Sequence, residues 1–236
     1  MVVGFDSVLF RSPNPERAAA FWGAILERSP VDHGGEWQLA GCDGQIGLRF
    51  THGDGHGDGK NRLHLHLSEA RRAQQDTIAA CEAVGGWLQG NGHVPANSFA
   101  VMADPVADEF CVIEDGNAYL SGCGPLGEVT CEGTAAVGRF WSRALGWPMV
   151  WEEGEETAIQ SPSGGTKLAW SGDDVDPARN NTRQRFILAV DRAELRAELD
   201  RLSTLGATDA VSISSGMLLR DPDGVEFELR VLPADR

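Results

Sequence analysis

Arg62-Leu63-His64-Leu65-His66-Leu67 alternates polar and apolar residues. This period-two pattern predicts a β-strand with one face against a core. The three leucines then point one way, and His64 and His66 point the other. Two imidazoles side by side suit metal ligation or acid–base chemistry, because histidine titrates near neutral pH and binds metals. The plainer alternative is a histidine pair lining a polar cleft or a wet surface. All six histidines lie within the first 93 residues, so imidazole chemistry belongs to the front half unless the halves share a site. His52 and His56 sit in a run with four glycines in eight residues. Ordering that run costs much chain entropy, which favours a loop or linker over a metal site.

The elements that must position these residues are read from periodicity and turn signals. Strands are expected at 5–10, 36–40, 45–50, 98–102 and 109–113, and a helix through Ala18, Phe21, Trp22, Ile25 and Leu26. Gly41-Cys42-Asp43-Gly44 reads as a hairpin turn. Ser68 is placed to cap a helix running to about residue 84. Residues 115–126 read as a connection. The order then recurs: a strand at 127–130, a helix at 134–145, and strands at 150–151, 157–160 and 166–170, with a turn at Ser163-Gly164-Gly165. After a polar linker at 172–182 come a strand at 185–190 and a helix capped by Asp191 with Glu194. Strands at 217–219 and 226–231 close the chain.

The recurrence is an internal repeat. Phe21-Trp22 returns as Phe140-Trp141, offset by 119 residues; Asp104-Pro105 returns as Asp221-Pro222 and Glu109-Phe110 as Glu226-Phe227, both offset by 117. The period is too long for a solenoid and indicates two related domains, at 1–118 and 124–236, of mixed α/β character. The fold class expected is α+β. With 236 residues and 42% hydrophobic composition, both domains can bury a core. A formal charge of −15 repels phosphate backbones and argues against nucleic-acid binding. No apolar run approaches a membrane span and no leader pattern opens the chain, so no membrane partner is expected. Five scattered cysteines suggest free thiols in a reducing cytoplasm.

The helix entry with Phe-Trp, the strand bearing His64 and the closing Asp-Pro-Asp-Gly-Val-Glu-Phe-Glu-Leu together resemble the vicinal oxygen chelate superfamily. This is the glyoxalase, bleomycin-resistance and extradiol-dioxygenase group, here in its tandem glyoxalase-like form. The resemblance implies two tandem domains, each of two βαβββ modules, with curved mixed sheets forming a cup and helices outside. Metal-dependent members place ligands on the first, fifth and eighth strands. Those positions fall on Ser7, His64 and Cys111 in the front half, and near 126–128, on Arg185 and on Glu228 in the back half. Neither set is complete. A site of His64, Glu109 and Cys111, with His66 nearby, would suit a divalent metal such as zinc or iron. The alternative is a buried inert Cys111 and a His64 that only hydrogen-bonds within the cup. Glu228 is expected to pair with Arg185, and Trp141, Trp147, Trp151 and Trp170 divide between core and ligand surface.

Three functions follow from the resemblance. One is a bleomycin-resistance-type protein that sequesters a small organic molecule without chemistry. It would use a cup containing Ser7, His66, Cys111, Arg185 and Glu228. The second is a metal-dependent lyase, isomerase or dioxygenase built on His64. The third is a metal-free enzyme with His64 as general base, assisted by Ser7 or Cys111. Paired modules within one chain permit a monomer, and a homodimer is equally compatible.

Overall fold

The structure is a computed structural model that describes residues 3–42, 44–53, 61–90, 94–95, 98–172 and 183–232. His56 and most of its glycine-rich run, and most of the 172–182 linker, lie outside the described residues. Four βαβββ modules follow one another. The first holds β1 (Gly4–Ser12), α1 (Pro15–Leu26), β2 (Val31–Asp32), β3 (Trp37–Leu39) and β4 (Gly47–His52). The second holds β5 (Leu63–Leu67), α2 (Gln74–Ala83), β6 (Trp87–Leu88), β7 (Ala100–Ala103) and β8 (Glu109–Val112). The third holds β9 (Leu126–Cys131), α3 (Ala135–Leu145), β10 (Met149–Glu153), β11 (Glu156–Gln160) and β12 (Lys167–Trp170). The fourth holds β13 (Gln184–Val190), α4 (Leu195–Leu205), β14 (Thr208–Ile213), β15 (Gly216–Arg220) and β16 (Glu226–Val231).

The modules form two eight-stranded mixed sheets, and each sheet takes one module from each half of the sequence. The first sheet runs β14-β15-β16-β13-β1-β4-β3-β2, joining the first and fourth modules. The second runs β10-β11-β12-β9-β5-β8-β7-β6, joining the second and third. Helices pair the other way: α1 packs on α2 and α3 on α4, each within one half. Sheet pairing across halves and helix pairing within them interlock the chain.

Alternation puts the core where expected. Leu63, Leu65 and Leu67 are buried against the helix side with Trp22 and Phe110. Phe186 and Leu188 of β13 do the same beside Trp141 and Phe227. Asn14 caps α1 by accepting the Arg17 amide, and Thr134 caps α3 by accepting that of Val137. Two expected starts differ. Helix α2 begins at Gln74 because Ser68 donates its hydroxyl to the Gly124 carbonyl, while Asp115 accepts the Gln74 amide at 2.7 Å. Helix α4 begins at Leu195 with no side-chain cap, so the expected Asp191–Glu194 box does not form. Strands β2, β6, β10 and β14 form the sheet edges.

Glutamines join the sheets. The Gln184 side chain accepts from the Leu63 amide and donates to its carbonyl, both at 3.1 Å. Gln45 donates to the Cys123 carbonyl at 2.6 Å and accepts the Leu126 amide at 2.8 Å. A primary amide carries one donor side and one acceptor side, so it satisfies buried peptide groups where sheets meet. No helix among the described residues is long and apolar enough to cross a membrane.

Candidate functional site

On the second sheet, the face turned from the helices presents one row of side chains across four neighbouring strands. Register pairs Cys111 of β8 with His66 of β5, His66 with Glu128 of β9, and Glu128 with Lys167 of β12. His66 Nδ1 donates to Glu128 Oε2 at 2.8 Å, and the Cys111 thiol lies beside the ring on the neighbouring strand, where it helps to raise the imidazole's pKa. Tyr119 donates its hydroxyl to the other carboxylate oxygen, Oε1, at 2.6 Å. Lys167 Nζ lies 3.7 Å from the centre of the Tyr119 ring and donates to the Tyr119 carbonyl. The connection between β8 and β9 thus folds back over the sheet and supplies this tyrosine.

The environment separates the two histidines. Burial opposes a charge on His66, but hydrogen bonds and charge from Cys111 and Glu128 outweigh it and raise its pKa to about 9. His64 is lowered, first by burial and further by the His66 charge; its bond to the Asn61 carbonyl, at 2.9 Å, offsets only part. At neutral pH this face of the sheet therefore holds an imidazolium at His66 and a neutral imidazole at His64. Burial and the Glu128 charge keep the Tyr119 hydroxyl protonated and above its ordinary range.

One step along the strands, the next row passes through His64, Thr130, Ala169, Ala158 and Trp151. Two alanines between a threonine and a tryptophan leave space. A cavity of about 340 Å³ lies there, lined by Tyr119, Glu128, Thr130, Trp151 and Ala169 among others. Tyr119 and Trp151 form an aromatic corner, their rings edge to face at 5.9 Å. Trp151 is 43% exposed and available as a wall. Trp170 touches the cavity, but its indole lies against Gly133 and Gly138 on the α3 side. Trp141 is core, and Trp147 is partly buried beside Phe5.

The corresponding face of the first sheet is filled by charge. Its equivalent row is Glu228, Ile187, Ser7 and Gly47. Ser7 donates to Asp6 at 2.7 Å, Arg49 joins Asp6 to Glu36 at 2.9 and 2.8 Å, and Arg230 joins Glu36 to Glu228 at 2.5 and 2.6 Å. Burial would raise the Glu36 pKa, but the two guanidiniums outweigh it and hold the carboxyl below its usual range. A polar groove of about 540 Å³ opens beside this network, over the β14–β15 hairpin. Two of its charged lining residues, Glu36 and Arg230, are already paired.

The residues singled out by sequence are therefore divided. His64, His66, Glu109 and Cys111 share the second sheet, whereas Ser7, Arg185 and Glu228 share the first. The single cup expected to hold Ser7 with His66 and Cys111 is corrected to two sheet faces. The expected Glu228–Arg185 pair is replaced by Glu228–Arg230, and among the described residues no hydrogen-bond partner meets Arg185 Nε. His66, two residues beyond His64, is the imidazole in register with Cys111. Among the described residues no three His, Cys, Asp or Glu side chains are placed to hold a metal ion. His64, Glu109 and Cys111 thus form no coordination set: His64 turns to Asn61, Cys111 contacts His66, and Lys167 puts an ammonium in the row's fourth position. That donor set does not fit the divalent ion that the resemblance implied. Glu128 lies within the stretch expected near 126–128, whereas Tyr119 and Lys167 are not among the expected residues; their rarity was the available signal, since the chain has one tyrosine and only two lysines.

Comparison with known proteins agrees with this architecture. The profile of the glyoxalase-like domain family matches residues 7–113 and 128–230. Glyoxalase I from Zea mays superposes with a TM-score of 0.64 at 13% identity, covering 97% of this chain and 92% of that one. A putative dioxygenase from Bacillus subtilis subsp. subtilis str. 168 superposes with a TM-score of 0.59 at 14% identity, covering 98% and 86%. At such identities the likeness is one of fold. No curated protein sequence matches the chain.

Proposed function

The chain belongs to the glyoxalase-like domain family, and on that premise we propose that it holds a small organic molecule in the concavity of its second sheet. The observation that carries this reading is the 340 Å³ cavity between Thr130 and Trp151. It falls in the size range of small-molecule sites, and its few polar groups sit beside aromatic surface. Tyr119 and Trp151 suit a flat ring, and Glu128 and Thr130 offer polar contacts at its edge. Retention rather than turnover is favoured, because the acid, base and cation beside the cavity are bound to one another. The first sheet is a poorer host, since opening it would break a chain of ion pairs.

The test is titration of the full chain with one- and two-ring aromatic acids and amines, followed by tryptophan fluorescence and thermal shift. Binding is expected to quench Trp151 emission and raise Tm. Ala169→Trp, which fills the floor, is expected to abolish both effects while leaving the circular dichroism spectrum intact. Absence of any response up to millimolar concentration, or equal binding by Ala169→Trp, defeats the reading.

A further inference from the structure

Cys111, His66 and Glu128 occupy three adjacent strands in one row. The His66 Nδ1 proton is committed to Glu128 at 2.8 Å, so the ring's other nitrogen remains for the thiol it contacts. Tyr119 anchors the second oxygen of the same carboxylate at 2.6 Å. A nucleophile beside a base, with the base oriented by a third group, is the arrangement by which side chains are activated for covalent chemistry. Access is restricted but present: Cys111 is 8% exposed and the His66 side chain 19%. Cys81 and Cys131 are less exposed still, at 0% and 5%, and burial pushes both thiols up, Cys81 to about 12.

We propose that Cys111 is a nucleophile that captures small conjugated carbonyl compounds as a thiolate paired with the His66 imidazolium, which holds the thiol's proton and returns it, with Glu128 as a positioning residue. In the step, Cys111 Sγ bonds to the β-carbon of the unsaturated carbonyl. The π electrons of the C=C bond move onto the α-carbon and carbonyl oxygen. The thiol's proton, held on His66, then passes to the α-carbon. The sum is addition of S–H across the double bond, with no leaving group and no further reactant. The site shares Glu128 and Tyr119 with the cavity, but the inference stands on the row and not on a ligand filling the cavity.

The probe is N-ethylmaleimide, a compact conjugated carbonyl, used below stoichiometry on the folded full chain at pH 6.5. Modified peptides are quantified by mass spectrometry. Cys42, which is exposed, serves as the internal reference. Cys111 is expected to react at least tenfold faster than Cys42, and His66→Gln to remove that advantage. The titratable groups nearest the thiol are His66 on the neighbouring strand, Glu109 two residues along its own strand, and Tyr119 and Cys123 in the apolar cluster it joins, and Glu128 acts on it through His66. Glu128→Gln is therefore expected to shift the pH profile of Cys111 labelling, and Glu128→Asp to restore part of it. Ala169→Trp is expected to leave labelling unchanged, which separates this inference from the cavity reading. Cys111 reacting no faster than Cys42, His66→Gln having no effect, or labelling that spreads equally to Cys81 and Cys131 through general opening would each overturn it.

Discussion

The indole of Trp22, on the first module's helix, donates to Asp104 Oδ2 in the second module's final turn at 3.1 Å. Trp141 and Asp221 repeat the bond in the back half at 3.2 Å. The other oxygen of each aspartate accepts two backbone amides of its own turn, from Val106 and Asp108 in one half and from Asp223 and Val225 in the other. One carboxylate thus shapes a hairpin and pins a helix. This explains why Phe-Trp and Asp-Pro recur together at nearly one period, and the bond joins helix and aromatic packing in holding the modules of each half while the sheets pair across halves.

Trp22→Phe is expected to lower stability by about 1–3 kcal/mol, because it removes one donor from a buried carboxylate. Asp104→Asn keeps the backbone acceptor but sets its amide nitrogen against the indole N–H. The double variant should therefore lose less than the two single losses summed, since the donor clash disappears with the indole. Urea denaturation of the four proteins measures the coupling; strict additivity would show that the bond contributes nothing.

Gly165→Ala is expected to be among the most damaging single substitutions. Gly165 has φ +91°, and an added Cβ would lie 1.9 Å from the Gly44 carbonyl oxygen. Two predicted turns from different sheets meet there, and the Thr166 amide donates to the Gly44 carbonyl at 3.1 Å. Left-handed strain and a backbone clash together cost about 3 kcal/mol or more. A Tm within two or three degrees of the parent would show that this contact yields easily.

Stability should fall as the medium turns alkaline, and His66 sets the window. Its pKa rises from 6.5 to about 9 on folding. The folded state therefore binds the proton more tightly, so the stabilisation is complete below pH 6.5 and is lost as pH rises through 9. The size is on the order of 3 kcal/mol, set by Cys111 and Glu128. His66→Gln should flatten the stability profile between pH 6.5 and 9. A wild-type profile already flat there would mean that the imidazole is neutral in the fold.

Much of the architecture was legible because local rules and the repeat agree. Alternation at Leu63–Leu67, the Asn14 and Thr134 caps, the chain reversal that bonds Cys42 to Gln45 and the turn at Gly164 each depend on neighbours in sequence. The failures came where distant groups compete. Ser68 was drawn to the Gly124 carbonyl and its helix was capped by Asp115 instead. The edge strands β2, β6 and β14 carry weak patterns because much of their surface meets water.

By itself the sequence determined the modules, their repetition, and the strand face shared by His64 and His66, since period and turn chemistry are local properties. Only the tertiary structure decided which modules share a sheet. That choice separated Ser7, Arg185 and Glu228 from the histidines and brought Glu128, Lys167 and Tyr119 to them. The physical reason is that strand pairing is a long-range match of backbone edges, and similar modules offer similar edges, so spacing along the chain cannot select the partner.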